Sequence, residues 1–272
     1  MKMPAFEFRS IYFDQPPRMR RALDIFVPET VTQDVALFFI HGGAWTLGGR
    51  EDFHRIMFAC RGQGYICATV DYTLLGKGTA TDAFAQLAEV RCGYALFLEE
   101  LRKMGRPLRV VTHGASAGAH LAALMSYTQP GGCGEAVDEA VASAKWIQPV
   151  GTALQSSPML YEPWEGIDGE LWDSMRAAAG GLPYEGSEER YRRLAIRSYL
   201  SPDCCPTFFM AAGDEKLFPN EITRQGCDEL RRLGVPVLWK TYAGRGHGFF
   251  YDVADAGQRQ ALQDLLDFAR SL

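Results

Sequence analysis

The most informative part of the chain is the segment Gly114-Ala115-Ser116-Ala117-Gly118. It follows a continuous apolar run at 108–112 and precedes a helical stretch at 120–125. A serine whose neighbours are all Gly or Ala fits a sharp turn from a strand into a helix, where larger side chains would clash. The amides at the start of that helix favour developing negative charge beside the serine. The pattern predicts a nucleophilic Ser116, and a chance turn of small residues is the alternative.

Strand and helix patterns alternate around this segment. Continuous apolar runs indicate parallel strands that are buried on both faces, and six occur, at 35–40, 65–70, 108–112, 145–150, 207–212 and 237–242. Helical patterns lie between them, at 51–62, 80–104, 117–128, 220–233 and 256–270. Half-alternating segments near 5–13 and 20–27 predict an antiparallel hairpin at the sheet edge. We therefore predict an α/β fold with a mostly parallel, eight-stranded sheet and helices on both faces.

The 272 residues and their 47% hydrophobic content suit a single domain spanning residues 1–272. One stretch, at about 151–203, breaks the alternation and carries Trp164, Trp172 and several Gly and Pro residues. Its place between two strand patterns predicts a position above the carboxyl ends of the strands, where ligands bind. We interpret it as a small lid or substrate-shaping insertion, and a plain surface excursion is the alternative.

Composition narrows the class of protein. The net charge of −5 gives no indication of binding to nucleic acid or to an acidic membrane. The first residues lack the apolar core of a signal peptide, and no run approaches the length of a membrane span. Seven cysteines without a disulfide spacing favour a reducing compartment, so we expect a cytoplasmic protein. The pair Cys204-Cys205 has no second Cys/His cluster with it, and we predict no metal site.

A second chemical motif, His41-Gly42-Gly43-Ala44-Trp45, directly follows the apolar run at 35–40. Acyl transfer creates an oxyanion that needs fixed backbone N–H donors, and consecutive glycines let the chain approach that oxygen closely. We predict that the amides of Gly42, Gly43 and Ala117 supply these donors. His41 is expected to brace the loop. Trp45 has two open interpretations, as a wall of the substrate pocket or as a packing residue.

A nucleophilic serine needs a base, and five histidines are candidates. His247 lies in the glycine-rich segment Gly244-Arg245-Gly246-His247-Gly248, directly after the last strand pattern. His54 falls in an early helix, while His113 and His120 are too close to the serine turn in sequence to swing in as a base. We therefore predict His247 as the base. Its orienting carboxylate should follow the strand at 207–212, where Asp214 and Glu215 are both candidates.

Three segments, 35–50, 108–125 and 206–250, resemble the α/β-hydrolase superfamily. More narrowly they resemble its esterase/lipase branch with a His-Gly-Gly oxyanion motif, which is related to hormone-sensitive lipase. The resemblance implies an α/β-hydrolase fold and serine hydrolysis through an acyl-enzyme without a cofactor. It also implies the chain order Ser, acid, His, which fits Ser116 and His247. The stretch at 151–203 is not covered by it.

Two further segments carry the resemblance. The run Ser116–Ala122 is similar both to kynurenine formamidases and to the feruloyl/acetyl-xylan esterase group. Asp71-Tyr72 is similar to the Asp-Tyr-Arg-Leu segment of the branch, but Thr73 replaces the arginine, so no role of that arginine is carried over. Relatives place their acid nine residues after the proline that opens the strand and four before a proline in the next loop. Both counts favour Glu215 over Asp214.

The motifs are compatible with three functions. The first is a carboxylesterase acting on small-molecule esters of short acyl groups, with acetyl groups on sugars among the candidates. About 40 residues precede the oxyanion motif, which leaves little room for an N-terminal cap and favours an open site. The second function is an arylformamidase or another amidase of the same fold. The third is a non-catalytic ligand-binding protein. The sequence leaves the oligomeric state open.

Overall fold

The computed structural model describes residues 8–14, 20–76 and 78–272. Within them eight strands form one sheet, and their bounds are β1 (Arg9–Tyr12), β2 (Ala22–Phe26), β3 (Ala36–Ile40), β4 (Cys67–Val70), β5 (Val110–Ala115), β6 (Gly151–Gln155), β7 (Thr207–Asp214) and β8 (Val237–Gly246). The strand order across the sheet is β1-β2-β4-β3-β5-β6-β7-β8. The pairs β1–β2 and β2–β4 are antiparallel, and all other neighbouring pairs are parallel. The predicted mostly parallel, eight-stranded sheet is confirmed.

The predicted strand segments differ from the observed strands by a few residues at their ends, and one of them, at 145–150, does not form a strand. The opening hairpin is present as β1 and β2, although residues 5–7 of the predicted first segment lie outside the described residues. The prediction of a strand at 145–150 is wrong, because β6 begins only at Gly151. The Gln148 side-chain amide donates to the backbone oxygens of Ser126 (3.0 Å) and Thr128 (3.1 Å), so the segment lies against the end of α3 before the Val150 N–H donates to the Val110 oxygen of β5 at 2.9 Å.

Helices cover both faces of the sheet. They are α1 (His54–Gly62), α2 (Ala83–Lys103), α3 (Ala117–Tyr127), α4 (Glu139–Ser143), α5 (Gly169–Ala178), α6 (Glu188–Arg192), α7 (Asn220–Arg232) and α8 (Ala256–Arg270), with short 3-10 helices at Arg50–Phe53 and Ile196–Tyr199. The predicted helices correspond to α1, α2, α3, α7 and α8, whereas α5 and α6 lie in the stretch at 151–203 and α4 was not predicted. Among the described residues, no helix is long and apolar enough to cross a bilayer.

The sheet separates two hydrophobic cores, and β3 shows how one strand serves both. Successive side chains of a strand point to opposite faces. Phe38 accordingly packs against Tyr94 and Phe97 of α2, with ring centroids 5.4 and 5.8 Å apart. Phe39 instead contacts Phe53 on the face of α1 and α8, with the ring centroids 5.2 Å apart. Burial on both faces explains the unbroken apolar run in the sequence.

The turn from β5 to α3 brings three backbone segments unusually close together. A Cβ atom added at Gly114 would lie 2.2 Å from the carbonyl oxygen of Gly118. A Cβ atom added at Gly118 would lie 2.0 Å from the carbonyl oxygen of Ile40, at the end of β3. Both positions therefore require glycine. The close approach places the start of α3 directly beside the loop that follows β3.

The stretch at 151–203 begins with β6, which pairs with β5 and β7 inside the sheet. The remainder carries α5, α6 and the second 3-10 helix, and side chains connect it to the rest of the domain. Arg193 Nε donates to the backbone oxygen of Cys133 at 2.8 Å, and Arg190 pairs with Asp82 at the start of α2. These contacts hold this stretch against α2 and the segment after α3.

We predict that Gly118→Ala destabilises the fold whereas Gly62→Ala does not. The added methyl group at Gly118 meets backbone oxygen, so α3 must move away from β3, at an expected loss of about 3 kcal/mol in the free energy of unfolding. Gly62 lies in α1 with open space around its Cα. There alanine should be neutral or raise stability by less than about 1 kcal/mol. Urea unfolding of both variants tests this, and equal stability would show that α3 does not pack tightly on β3.

Candidate active site

Ser116 lies in the turn between β5 and α3 with a strained backbone. Its φ of 56° and ψ of −121° are rare for a residue with a side chain and match the geometry of a strand-to-helix nucleophile turn. The Ser116 N–H donates to the backbone oxygen of Gln155 at 2.9 Å, and the Ser116 carbonyl oxygen accepts the His120 N–H at 3.0 Å. The backbone on both sides thus fixes the strained residue and leaves its side chain free to face other groups.

Three side chains from distant parts of the sequence form one hydrogen-bonded chain. The Ser116 hydroxyl donates to His247 Nε2 at 2.8 Å. His247 Nδ1–H donates to both carboxylate oxygens of Glu215, at 2.9 and 3.0 Å. Because an ionised carboxylate only accepts, the proton of a neutral His247 ring sits on Nδ1, and the Nε2 lone pair faces the serine. This arrangement can take a proton from the Ser116 hydroxyl.

Glu215 is held at the end of β7 as a buried carboxylate, with its side chain 1% exposed. Burial alone would raise the pKa of Glu215, but the hydrogen bond and charge of His247 outweigh it and lower the pKa to about 2. The Leu217 N–H also donates to this carboxylate at 2.9 Å. Glu215 therefore stays ionised at neutral pH and can stabilise a positive charge on His247.

The second candidate acid has a different environment. Asp214 is the last residue of β7, and its side chain is exposed. Successive residues of an extended chain point in opposite directions, so Asp214 faces away when Glu215 faces His247. Within the described part of the chain, the Asp214 side chain makes no hydrogen bond or ion pair. The structure thus brings Glu215, and not Asp214, to the histidine.

The loop after β3 is fixed by polar groups around the peptide that joins His41 to Gly42. Tyr72 Oη donates to the His41 carbonyl oxygen at 2.9 Å, and the Gly42 N–H donates to Tyr251 Oη at 3.0 Å. The His41 ring stacks on Tyr72, with centroids 4.3 Å apart, and its Nδ1–H donates to the Gly42 carbonyl at 2.8 Å. Burial lowers the pKa of His41, so its ring is neutral. His41 braces the loop, as predicted.

The three predicted oxyanion donors differ in whether their N–H groups already have an acceptor in this structure. The prediction for Gly42 needs correction, because its N–H already donates to Tyr251 and is not open to a substrate. In the described residues, the amides of Gly43, Ala44 and Ala117 have no backbone or side-chain acceptor. The amide of Ala44 was not among the predicted donors. The carbonyl oxygen of Gly43 accepts the N–H groups of Thr46 and Leu47. Because the N–H of a trans peptide points opposite to its carbonyl, the Ala44 N–H points away from these two residues.

Trp45 is a packing residue in this structure. Its side chain is fully buried, which excludes the interpretation of Trp45 as a substrate-binding wall of the pocket and leaves the interpretation as a packing residue. The Trp45 Nε1–H donates to His120 Nδ1 at 3.3 Å, and His120 Nε2–H donates to the backbone oxygen of Leu194 at 2.7 Å. Burial lowers the pKa of His120 to about 4, so a neutral ring connects α3 to the stretch at 151–203.

The remaining histidines, His54 and His113, have partners outside the hydrogen-bonded chain of Ser116, His247 and Glu215. His54 Nε2 lies 2.8 Å from a carboxylate oxygen of Asp24 in β2. His113 is buried among aromatic rings, and burial lowers its pKa to about 3. No group of three or more His, Cys, Asp or Glu side chains in the described ranges could hold a metal ion.

A small apolar hollow lies beside the base. Phe218 contacts the His247 ring, with centroids 5.7 Å apart, and Trp164 contacts Phe218 at 6.3 Å. The hollow has a volume of about 10 Å³, and its lining includes Met159, Trp164, Phe218 and Ile222. That volume is about the size of one water molecule. Apolar groups therefore border the site on the side of α7.

This chain is similar in sequence to a family of known proteins and to curated ester hydrolases and lipases. The model of the BD-FAE family matches residues 23–220. The chain is 27% identical over 229 residues to the probable carboxylic ester hydrolase LipM of Mycobacterium tuberculosis, covering 78% of this chain and 49% of that protein. It is 25% identical over 253 residues to Lipase 2 of a Moraxella species, covering 80% and 55%. The chain thus spans about half the length of these curated relatives.

Solved structures share the fold. An esterase from Thermogutta terrifontis, Est2, superposes with a TM-score of 0.76 at 19% identity, covering 98% of this chain and 92% of that one. The butyrate-bound form of Est2 gives a TM-score of 0.74 at 18% identity, covering 95% and 96%. At this level of identity the similarity supports the α/β-hydrolase fold.

We predict that Glu215→Gln lowers kcat/KM for an activated ester by about a thousandfold or more, because the amide no longer favours the Nδ1–H tautomer or a charged His247. Asp214→Asn is the matched control, and its kcat/KM should stay within about twofold of wild type because its carboxylate does not touch His247. Steady-state kinetics of both variants decide the point. A severe loss in Asp214→Asn with normal Glu215→Gln would assign the acid to Asp214.

The lowered pKa of Glu215 also predicts a pH-dependent stability. A carboxylate whose pKa falls on folding stabilises the protein above its unfolded pKa, and that stabilisation disappears as the pH falls through the folded value. The difference in unfolding free energy between wild type and Glu215→Gln should therefore be largest above pH 5 and decline by about 3 kcal/mol toward pH 2. Urea unfolding of both proteins across this range measures it. A difference independent of pH would contradict the pKa of about 2.

Proposed function

This chain belongs to the BD-FAE family of α/β-hydrolase esterases and lipases, and we propose that it is a serine carboxylesterase for short-chain acyl esters. The observation that carries the proposal is the continuous hydrogen-bonded chain Ser116–His247–Glu215. The strained backbone of Ser116 at the start of α3 supports it, because such strain persists where function requires it. No cofactor enters the proposed reaction.

Acylation begins when Ser116 Oγ attacks the ester carbonyl carbon. His247 Nε2 accepts the serine proton, and the charge of Glu215 stabilises the resulting imidazolium. The carbonyl oxygen becomes an oxyanion, for which Gly43 and Ala117 are the proposed backbone donors, with Ala44 beside them. As the tetrahedral intermediate collapses, the bond to the alcohol oxygen breaks and His247 returns the proton to it. The acyl group then remains on Ser116 Oγ.

Deacylation repeats these steps with water. His247 Nε2 accepts a proton from the water molecule while its oxygen attacks the acyl carbonyl carbon. The same amides stabilise the second oxyanion. When the bond to Ser116 Oγ breaks, His247 returns its proton to the serine and the carboxylic acid leaves. The hydroxyl and the neutral ring of His247 are then restored.

Short acyl groups are part of the proposal. Trp164 and Phe218 border the site on the side of His247, and we propose that these side chains limit the length of the acyl group. Solved forms of the fold relative Est2 have butyrate and propionate bound. Acetyl esters of sugars belong to the same size class and are candidate substrates.

The proposal extends to the organisation of the chain. We propose that residues 1–272 form one domain and that the stretch at 151–203 shapes the substrate site. His120 and Trp164 connect this stretch to α3 and to the surroundings of His247. All seven cysteines are free thiols, which supports a reducing compartment such as the cytoplasm. Fractionation of the producing cells tests that location.

Hydrolysis of p-nitrophenyl esters from acetate to octanoate tests the function. We expect turnover to be fastest with acetate to butyrate and to fall with longer chains, because the bordering side chains limit acyl length. Ser116→Ala should lose at least about ten-thousandfold in kcat, since the nucleophile is gone. Ser143→Ala, at an exposed hydroxyl in α4, is the matched control and should keep wild-type rates.

Covalent labelling separates the competing functions. A fluorophosphonate should label wild type and Ser143→Ala but not Ser116→Ala. Labelling without ester turnover would exclude the carboxylesterase and favour formamides or peptides as substrates. Absence of both labelling and turnover would favour a ligand-binding protein. Faster hydrolysis of octanoate than of acetate would contradict the short-chain proposal.

A further inference from the structure

Tyr251 occupies a place that the proposed acylation and deacylation steps do not explain. It lies four residues after His247, in the segment between β8 and α8, and its ring contacts Phe53 with centroids 4.9 Å apart. Its hydroxyl oxygen accepts the Gly42 N–H at 3.0 Å. A Cβ atom added at Gly42 would lie 2.6 Å from this hydroxyl oxygen and 3.2 Å from Ser116 Cβ. The hydroxyl therefore reaches the space beside the nucleophile.

The two polar atoms of a single peptide group are held by two tyrosines. Tyr72 Oη donates to the carbonyl oxygen of His41, and Tyr251 Oη accepts the N–H of Gly42. These two atoms belong to the same planar peptide unit. Holding both of them fixes the rotation of the plane, which a hydrogen bond at one end alone would leave free to rock. Gly42 and Gly43 have no side chains that could restrict the rotation of this peptide themselves.

The Gly42–Gly43 peptide follows directly, and its orientation relative to the first peptide is set by φ and ψ of Gly42. The carbonyl oxygen of Gly42 accepts from His41 Nδ1 at 2.8 Å, on the side of the His41 and Tyr72 rings. In a trans peptide the N–H points opposite to the carbonyl. The Gly43 N–H consequently points away from those rings, and it has no acceptor in the described residues. Rotation at Gly42 would redirect it.

We propose that Tyr251 is a positioning residue for the reaction, whose hydroxyl fixes the Gly42 peptide so that the Gly43 N–H is aimed at the oxyanion. This inference rests on the proposed function. The hydroxyl acts through the backbone of the loop and does not take part in proton transfer. It also couples the segment that carries His247 to the loop that stabilises the oxyanion. The position of the base, His247, and the orientation of the Gly43 N–H thus both depend on the segment that contains Tyr251.

Tyr251→Phe removes the hydroxyl and keeps the ring against Phe53. If the Gly43 N–H no longer points at the oxyanion, it stabilises the transition state less while substrate binding changes little. We therefore expect kcat to fall about ten- to a hundredfold and KM to change less than about threefold. Tyr65→Phe is the matched control. Tyr65 is buried in the core on the α8 face and, like Tyr251, bonds a backbone atom, because its Oη donates to the Leu266 carbonyl oxygen at 3.4 Å. Its loss should leave kcat unchanged.

A second measurement reports on the loop itself. Hydrogen exchange of the Gly42 amide, followed by NMR in protein labelled with ¹⁵N-glycine, should be at least about tenfold faster in Tyr251→Phe than in wild type. Tyr65→Phe should leave this exchange rate unchanged. The measurement needs no substrate, so it is valid even if the esterase proposal fails.

The combined results decide the inference. Faster Gly42 exchange together with a loss confined to kcat supports it. Faster exchange with unchanged kcat overturns it, because the hydroxyl would then be only structural. Unchanged exchange overturns it whatever happens to kcat. If wild type hydrolyses no ester and Ser116 is not labelled, the proposed function fails, whereas an active wild type with an equally active Tyr251→Phe refutes only the role of Tyr251.

Discussion

The close approach of α3 to the end of β3 is the constraint on which the active-site geometry depends. A single added carbon at Gly118 would lie 2.0 Å from the Ile40 carbonyl oxygen, so only glycine permits this distance. The approach brings the nucleophile turn, at the end of β5, next to the loop that starts at His41. A serine and its oxyanion donors must lie within a few ångströms of one carbonyl group. Backbone packing alone satisfies that requirement here, before any catalytic side chain is considered.

Strain accumulates at the same edge of the sheet. The non-glycine residues with positive φ in the described chain are Ala44, Trp45, Ser116 and Ser156, and all of them follow directly or closely on the carboxyl ends of β3, β5 and β6. Such conformations cost of order 1 kcal/mol or more each and need support from their surroundings. Trp45 obtains it from full burial, and Ser116 from the hydrogen bond of its N–H to Gln155. The paired strands β3, β5 and β6 hold the residues from which these strained loops begin.

Residue patterns anticipated the sheet better than they anticipated individual contacts. The buried strands were located because residues covered on both faces must be apolar throughout, as Phe38 and Phe39 illustrate. The same rule failed at 145–150, where Trp146 packs on Tyr94 of α2, with ring centroids 5.1 Å apart, and Gln148 bonds backbone oxygens at the end of α3. A run of apolar residues does not distinguish a strand inside a sheet from a half-buried segment that packs on helices.

Local sequence was sufficient to predict the α/β architecture, the serine turn and the glycine loop, because each depends on nearby sterics and on the period of apolar residues. It also favoured Glu215 over Asp214 through a resemblance, without a physical reason for the choice. The carboxylate that meets His247 became evident only in the folded chain, since adjacent residues of a strand point in opposite directions. The same holds for the occupied Gly42 amide, because its acceptor, Tyr251, comes from 209 positions away along the chain. Contacts between segments so distant in sequence depend on how the whole sheet is assembled, and no local pattern encodes them.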